Sequence, residues 1–203
     1  MLTCGEIYYL NKALDGKKIF NVSPIMDIFT NSNSSIEKSL HEKGLLNEDY
    51  MINDKACEII RLIDIFKSSR KYIVIDDKIS ISESINDFIV YFEKDSDNNF
   101  YVDRVVNDGL VFRLLYDHYF LTEDKVVEDN VIRIDKTDFI DNYLKVSRDS
   151  VKVCIYDGFE IDNEIYYCLL ENNVYKYDGK EESCELINPK DAAVEIFSMV
   201  VNE

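Results

Sequence analysis

The sequence predicts an α+β protein with a central antiparallel β-sheet, a helical amino-terminal part and a carboxy-terminal helix. Apolar residues recur every three to four positions up to about Arg70, and then alternate with polar ones through most of the remaining chain. Short polar turns join consecutive strands, which indicates antiparallel pairing. We expect residues 1–70 to form a winged-helix-like module, continuous with a sheet-containing part over residues 71–203.

The first helix is predicted from a T-x-x-E capping box formed by Thr3 and Glu6, and it is expected to end at Asp15–Gly16. A short extended piece and a loop through Pro24 follow. Ser34 repeats the capping-box spacing with a glutamate before the second helix.

The second helix is expected over about 36–43, with Gly44 in the left-handed conformation that closes it. A third helix is expected over about 54–67.

The middle of the chain reads as five strands in sequence. The predicted strands are YIVID (72–76), KISIS (78–82), DFIVYFE (87–93), NFYVDRVV (99–106) and LVFRLLYD (110–117). The segment Val111 to Tyr116 is apolar on both faces, so we expect it to be a central strand that is covered on both sides.

The last third repeats the alternation of strands and helices. VIRI (131–134) is a candidate strand, and residues 136–146 a candidate helix. Three strands follow, VKVCIYD (151–157), EIYYCLL (164–170) and NVYKYDG (173–179), and then a helix with Asn188 as its cap and Pro189 at its first position. The central and carboxy-terminal parts could be two related halves, each a meander with a helix.

The charge balance argues against nucleic-acid and membrane partners. The chain of 203 residues carries 23 Lys and Arg against 40 Asp and Glu, a formal charge of −17, which repels phosphates and anionic lipids. The start MLTCGEIYYL lacks the features of a signal peptide, and no apolar run approaches the ~20 residues that a bilayer crossing needs. Five widely spaced cysteines without C-x-x-C suit reduced thiols, so we expect a cytoplasmic protein.

Signatures of catalysis are missing from the sequence. It has no P-loop, dinucleotide fingerprint or nucleophile elbow. His118 is a better candidate for acid–base chemistry than His41, but the sequence places no nucleophile or second base beside it. Asp95 to Asn99 starts like a calcium loop, yet Phe100 and Val106 occupy the positions that require Gly and Glu. We expect no enzyme activity, no cofactor and no metal.

The predicted winged-helix module lacks the basic residues of a DNA-binding protein. The third helix offers Lys55 and Arg61 against three acidic residues, and the wing NEDYMIND has three acids and no base. The basic group Lys67, Arg70 and Lys71 follows the helix end, where it favours the negative end of the helix dipole.

Two segments carry a family resemblance, LTCGEIYYLNKALDGKKIF and the stretch from SSIEKSLHEKGLLNEDY to the first strand, and the strands after them extend it in outline. They share an "L-T-x-x-E-hydrophobic" first helix and an "L-x-x-K-G-L-hydrophobic" second helix. In these features the chain resembles the accessory proteins of type VII secretion, the EspG-like chaperones of mycobacteria and the EsaE/EssE-like proteins of low-GC Gram-positive bacteria. Beyond about Asp117 the resemblance stops.

The resemblance implies a cytosolic chaperone or adaptor without catalysis. Its partner would be a secreted helical-hairpin protein of the WXG, LXG, PE or PPE type, and the free chaperone would be a monomer or weak dimer. By resemblance the contact falls on one long hairpin, here with the candidate residues Phe88, Val90, Phe92, Phe100, Tyr101 and Val102. Three alternatives remain: an immunity protein that neutralises a basic secreted toxin, a transcription factor, and an enzyme that uses His118.

Overall fold

The structure, a computed structural model, describes residues 1–23, 33–83, 88–127 and 130–201. The helices are α1 (Cys4–Asn11), α2 (Asn33–Glu42), α3 (Asp54–Ser68), α4 (Asn107–Asp117), a 3-10 helix (Tyr119–Thr122), α5 (Lys136–Phe139) with a π-helical turn (Ile140–Leu144), and α6 (Pro189–Val201). The strands are β1 (Lys71–Ile75), β2 (Ile79–Ser82), β3 (Phe88–Lys94), β4 (Phe100–Val106), β5 (Val131–Arg133), β6 (Asp149–Asp157), β7 (Glu160–Leu170), β8 (Asn173–Asp178) and β9 (Ser183–Ile187).

The described strands form a nine-stranded sheet in the order β4-β3-β2-β1-β6-β7-β8-β9-β5. Every neighbouring pair in it is antiparallel. Helices lie on both faces of this sheet, and three apolar clusters fill the space between helices and strands. The predicted α+β class with a central antiparallel sheet is therefore confirmed.

The amino-terminal helices follow their sequence signals closely. The Thr3 and Glu6 capping box opens α1, and Gly44 has a φ of 69°, as its left-handed role requires. A bridge between Leu46 and Ile52 forms the small wing between α2 and α3. Two boundaries differ from the prediction: α1 ends at Asn11, and α2 begins at Asn33, so that Ser34 lies inside the helix. The predicted loop through Pro24 lies outside the described residues.

The segment LVFRLLYD is a helix, α4, and the predicted central strand is wrong. Leu110 and Leu114 are buried four residues apart, whereas Phe112 and Tyr116, also four apart, face solvent. This spacing places one row on each side of a helix. The strand β9 is a second difference, because the sequence indicated no strand between 179 and the last helix.

Two consecutive halves make up most of the sheet. The first runs from α3 through β1–β4 to α4, and the second from α5 through β6–β9 to α6. β1 pairs with β6 at the centre, and each half continues outward from there as a four-stranded meander. The structure thus contains the two meanders with a helix that the sequence suggested.

The first hairpins of the two halves, β1–β2 and β6–β7, are related by an approximate two-fold axis through the β1–β6 pair. Ile73 lies directly opposite Ile155, and these two residues are 82 positions apart (155 minus 73). Adding 82 to both residue numbers also converts the β1–β2 pair Ile73–Ile81 into the β6–β7 pair Ile155–Asn163. The β6–β7 pairing becomes irregular at the next residue, Tyr156. The same shift carries the start of α4 at Asn107 onto the start of α6 at Pro189.

Side-chain burial repeats with the same shift on α4 and α6. Leu110 corresponds to Ala192 and Leu114 to Ile196, and all four are buried. Each helix also forms an ion pair with the third strand of its own meander. Arg113 contacts Glu93 on β3, and Glu195, which the shift relates to Arg113, contacts Lys176 on β8, both at 2.6 Å.

Each face of the sheet has its own helices. α1, α2 and α3 pack over the first half on one face, with Tyr72, Val74 and Phe92 beneath them. On that same face α5 and its π-helical turn cover the second half around Phe139. α4, the 3-10 helix and α6 share the opposite face, above Ile73 and other residues of β1–β3 and β6–β8.

Candidate partner-binding surface

The hairpin residues that the resemblance singles out are divided between the core and the surface. Val90, Phe92 and Phe100 are buried in the core beneath α3, so they are not exposed as anchors for a partner. Their aromatic and branched side chains pack against the helical module, and the Phe92 ring lies tilted at 44° against Phe66 with ring centroids 4.3 Å apart. This corrects the expectation for these three positions.

The other three hairpin residues are partly or largely accessible. Phe88 is exposed, with the Arg104 guanidinium 5.5 Å from its ring centroid. Tyr101 is exposed too, and its hydroxyl donates to Asp103 at 2.7 Å, which raises the pKa of Tyr101 to about 12. Val102 is partly buried against the core. This edge of the sheet therefore offers two aromatic rings that already have polar neighbours.

The most exposed cluster of aromatic side chains lies on the opposite face, along α4 and the 3-10 helix. Phe112 is 72% exposed, Tyr116 86% and Tyr119 73%, and Val194 on α6 is 62% exposed. We call these four residues, together with the half-buried Leu115 and Phe197, the α4–α6 surface. Isolated exposed apolar residues are ordinary, but a contiguous group between two helices is typical of a binding site.

A groove runs between the two helices within this surface. It encloses about 290 Å³ and is lined by Asp108, Phe112, Leu115, Ala193, Val194 and Phe197. Five of these six side chains are apolar. The groove is an open apolar concavity between two helices, which suits the apolar face of a docked helix.

One of the six side chains that line the groove is acidic. The Asp108 carboxylate forms no hydrogen bond or ion pair with another side chain in the described part of the protein, whereas Arg113 on the same helix is paired with Glu93. The charge at the groove is therefore negative, in keeping with the whole chain.

His118 lies beneath the α4–α6 surface, where α4 meets the 3-10 helix. Its Nε2 is 2.9 Å from Asp76 Oδ2, and its Nδ1 is 3.5 Å from Asp149 Oδ1 without hydrogen-bond alignment. Burial alone would lower the pKa of His118, but the hydrogen bond and charge of Asp76 and the charge of Asp149 raise it above its ordinary value. Asp76 also accepts from the Lys152 backbone N–H at 2.8 Å.

This arrangement corrects one expectation from the sequence, because His118 does have carboxylates beside it. Asp76 follows β1 and Asp149 begins β6, so the fold brings together residues from distant parts of the chain. The histidine side chain is only 13% exposed. The geometry suits an ion-paired clamp between α4 and the sheet.

The segment that starts like a calcium loop, Asp95 to Asn99, has a structural role. Asp95 accepts from the backbone N–H groups of Asp97 and Asn99, which closes the β3–β4 turn.

In the described ranges no group of His, Cys, Asp and Glu is arranged to hold a metal ion. None of the described helices has both the length and the apolar character for crossing a bilayer.

Two residues of the basic group at the end of α3 form intramolecular contacts. Lys67 binds Asn11 and Asp15 of the α1 region, and Arg70 pairs with Asp157 at 3.1 Å. The first contact holds α3 to the α1 region, and the second links the end of α3 to β6 in the second half of the sheet.

Comparison with known families identifies the amino-terminal two thirds of the chain. The domain of unknown function DUF5081 matches residues 1–132. The chain belongs to the DUF5081 family. The matched residues include the helical module, the first meander, α4 with Phe112 and Tyr116, and the 3-10 helix with Tyr119. No curated protein matches the chain.

Sequence reasoning missed the α4–α6 surface because it assigned Phe112 and Tyr116 to a strand. The signal that could have found them is the pair of four-residue spacings in LVFRLLYD, with leucines in one row and aromatic residues in the other. Only the fold shows that the second row has no neighbouring element among the described residues.

Proposed function

We propose that this DUF5081 protein is a cytoplasmic chaperone or adaptor that binds a helical-hairpin substrate of a type VII secretion system. The observation that carries the proposal is the exposed α4–α6 surface with its groove. An amphipathic helix buries its apolar face in such a groove, which hides that face from water and from other chains. The resemblance of the amino-terminal segments to type VII accessory proteins supports the same class of partner.

Charge supports the choice of a separate partner over a second copy of this chain. The Asp108 side chains that line the groove would come close together in a symmetric pair of copies, and each copy carries a net charge of −17. Like charges brought together in this way oppose association. A partner with neutral or basic residues beside its apolar face would be favoured instead.

The test compares proteins that co-purify with tagged variants from the cells that produce this protein. Phe112→Asp combined with Tyr116→Asp places charge on the α4–α6 surface, and Tyr50→Asp combined with Met51→Asp is the control on the wing. All four side chains are well exposed, so we expect every variant to fold. A secreted helical-hairpin protein should be retained by the wild type and the control, and reduced at least about tenfold with the surface variant.

Two results would contradict the proposal. Equal retention of the hairpin protein by both double variants would place its binding elsewhere. A basic toxin domain as the retained partner, with binding that weakens strongly as salt rises, would favour an immunity protein.

A further inference from the structure

The outer side of β4 is an open strand edge. β4 is the last strand on one side of the sheet, and its inner side pairs with β3 from Phe100 to Val106. On the outer side Leu2 forms a single antiparallel bridge, in which it exchanges two backbone hydrogen bonds with Phe100 at 2.8 and 2.7 Å. The backbone groups of Phe100 therefore point away from β3, and so do those of every second residue after it, Val102, Arg104 and Val106.

Most of these outward groups have no partner. In the part of the chain that the structure describes, no hydrogen bond engages the N–H or C=O of Val102 or the C=O of Arg104. The Arg104 N–H donates at 2.8 Å to the carboxylate of its own neighbour, Asp103, whose other oxygen accepts from the Tyr101 hydroxyl. Such a row of outward donors and acceptors is a template on which another extended segment can pair.

An apolar groove accompanies this edge. It encloses about 320 Å³, and its lining includes Leu2, Leu45, Ile59 and Val102. It lies on the face of the sheet that α3 covers, opposite the face of α4 and α6. Because successive side chains of a strand point to opposite faces, every second side chain of a segment paired with β4 would point to the groove side.

We infer that the β4 edge binds an extended segment of a separate protein, which adds antiparallel to β4 along the line marked by Leu2. The segment places an apolar side chain in the groove and a Lys or Arg side chain opposite Asp103. The cation attracts the Asp103 carboxylate, which frees the Arg104 N–H for a carbonyl group of the segment. In this mode of binding the backbone hydrogen bonds give affinity and the alternating side chains give selectivity.

This inference is independent of the proposed function. It concerns the other face and the edge of the sheet, and it requires a partner segment in the extended conformation, whereas the α4–α6 surface suits a helix.

Charge argues against a second copy of this chain as the occupant. If two β4 edges paired about a two-fold axis centred on Arg104, which uses the whole free stretch from Val102 to Val106, the two arginines would lie directly opposite each other. A register centred on Asp103 would place the two aspartates opposite each other. Like charges directly opposite in a sheet are destabilising, and each copy carries a net charge of −17.

The experiment titrates a capped synthetic heptapeptide into the isotope-labelled full chain and follows backbone amides by NMR. Valine alternates with threonine in the peptide, and the central threonine is replaced by lysine. We expect the peptide to slow hydrogen exchange at the outward amides of Val102 and Val106, and to leave the Asp103 amide, which faces β3, unchanged. The matched peptide with glutamate in place of lysine should bind at least about tenfold more weakly.

Two N-methylated peptides test whether the backbone carries the contact. The N–H of a valine beside the lysine points to β4 in the proposed pairing, and the N–H of the lysine itself points away from it. We therefore expect N-methylation of that valine to weaken binding at least about tenfold, and N-methylation of the lysine to have little effect.

A pair of substitutions makes the same test from the side of the protein. Arg104→Pro removes an outward N–H, at a type of position where edge strands tolerate proline, whereas Arg104→Ala keeps it. We expect the proline variant to lose peptide binding and the alanine variant to keep it. Circular dichroism checks the fold of the proline variant, and the N-methylated peptides give their result on the wild-type protein in either case.

Three results would overturn the inference. The first is no protection of Val102 and Val106 by the lysine peptide, and the second is equal binding of the two N-methylated peptides. The third is protection of these amides in the protein alone as its concentration rises, which would assign the edge to a second copy. Phe112→Asp combined with Tyr116→Asp should leave peptide binding unchanged, so failure at the β4 edge and failure of the proposed function remain distinguishable.

Discussion

At the scale of single residues, Glu6 explains the first motif of the family resemblance. Its carboxylate is almost fully buried and accepts from the Thr3 backbone at 2.7 Å, from Ser39 at 2.7 Å and from Lys43 at 2.6 Å. Burial alone would raise the pKa of Glu6, but the hydrogen bonds from Lys43, Ser39 and Thr3 lower it below its ordinary value. The "L-T-x-x-E" pattern therefore joins α1 to α2, and its role is in folding.

His118 gives a prediction about pH. Because its folded pKa is raised, its pairing with Asp76 and Asp149 stabilises the protein fully below the unfolded pKa of about 6.5 and is lost as the pH rises through the folded pKa. We expect His118→Ala to cost about 1.5–3 kcal/mol of unfolding free energy at pH 5.5 and less at pH 9. Urea unfolding at both pH values measures the difference.

The only other histidine, His41, serves as the control for this prediction. It lies on α2, partly exposed and stacked on Tyr50 with ring centroids 5.1 Å apart. Proton NMR should show the His118 imidazole titrating above the ordinary histidine pKa of about 6.5. A His118→Ala variant that loses the same stability at pH 5.5 and pH 9 would contradict the ion-paired clamp.

At the scale of elements, the sequence predicts a local structure correctly where that structure depends only on neighbouring residues. The Thr3 capping box, the turn at Gly44 and the Asp95 turn are such cases, because each depends on residues within a few positions. The sequence of α4 predicts a strand because aromatic residues favour strands, and because its two apolar rows resemble the two faces of a buried strand. The packing of Leu110 and Leu114 against β1–β3 favours the helix, and residues outside the segment provide that packing.

The candidate site was harder to predict than the fold for a related reason. Aromatic content pointed to Phe92 and Phe100, which are core residues, as strongly as to Tyr101, which is exposed. Composition alone does not separate packing from binding. The α4–α6 surface joins helices of the two halves, whose sheets meet at the pairing of β1 with β6, about 80 positions apart, and no local pattern encodes that pairing.

The two rows of α4 give a prediction about stability. Leu114 is buried under the helix, so we expect Leu114→Ala to lower the unfolding free energy by about 2–4 kcal/mol. Tyr116, two residues later and 86% exposed, provides the control, and Tyr116→Ala should change stability by less than about 0.5 kcal/mol. Chemical denaturation measures both, and similar losses for the two variants would contradict a helix in this orientation.

At the scale of the whole molecule, the helical module and the sheet share one core. Apolar residues of α1–α3, including Ile7 and Phe66, pack with Tyr72 of β1 and with Cys154 of β6 in the second half. The central β1–β6 pairing then links the two meanders through their backbones. The expected division at residue 70 is thus a change of secondary structure within a continuous packing unit.

This shared core predicts cooperative unfolding. We expect a single thermal transition, with equal calorimetric and van't Hoff enthalpies, because neither the module nor either meander buries its apolar face alone. Differential scanning calorimetry of the full chain checks this. Two resolved transitions, or a fragment of residues 1–70 that folds cooperatively by itself, would contradict it.

The opposition of Ile73 and Ile155 also has an evolutionary consequence. An ancestral polypeptide of half this length could close the same central sheet as a homodimer, with its first strand pairing with that of the second molecule across the axis. Gene duplication and fusion would then leave both copies in one chain, free to diverge separately. The opposite charges of Arg113 and Glu195, which the shift of 82 positions relates, are the kind of divergence that such a fusion permits, because the two positions no longer share one codon.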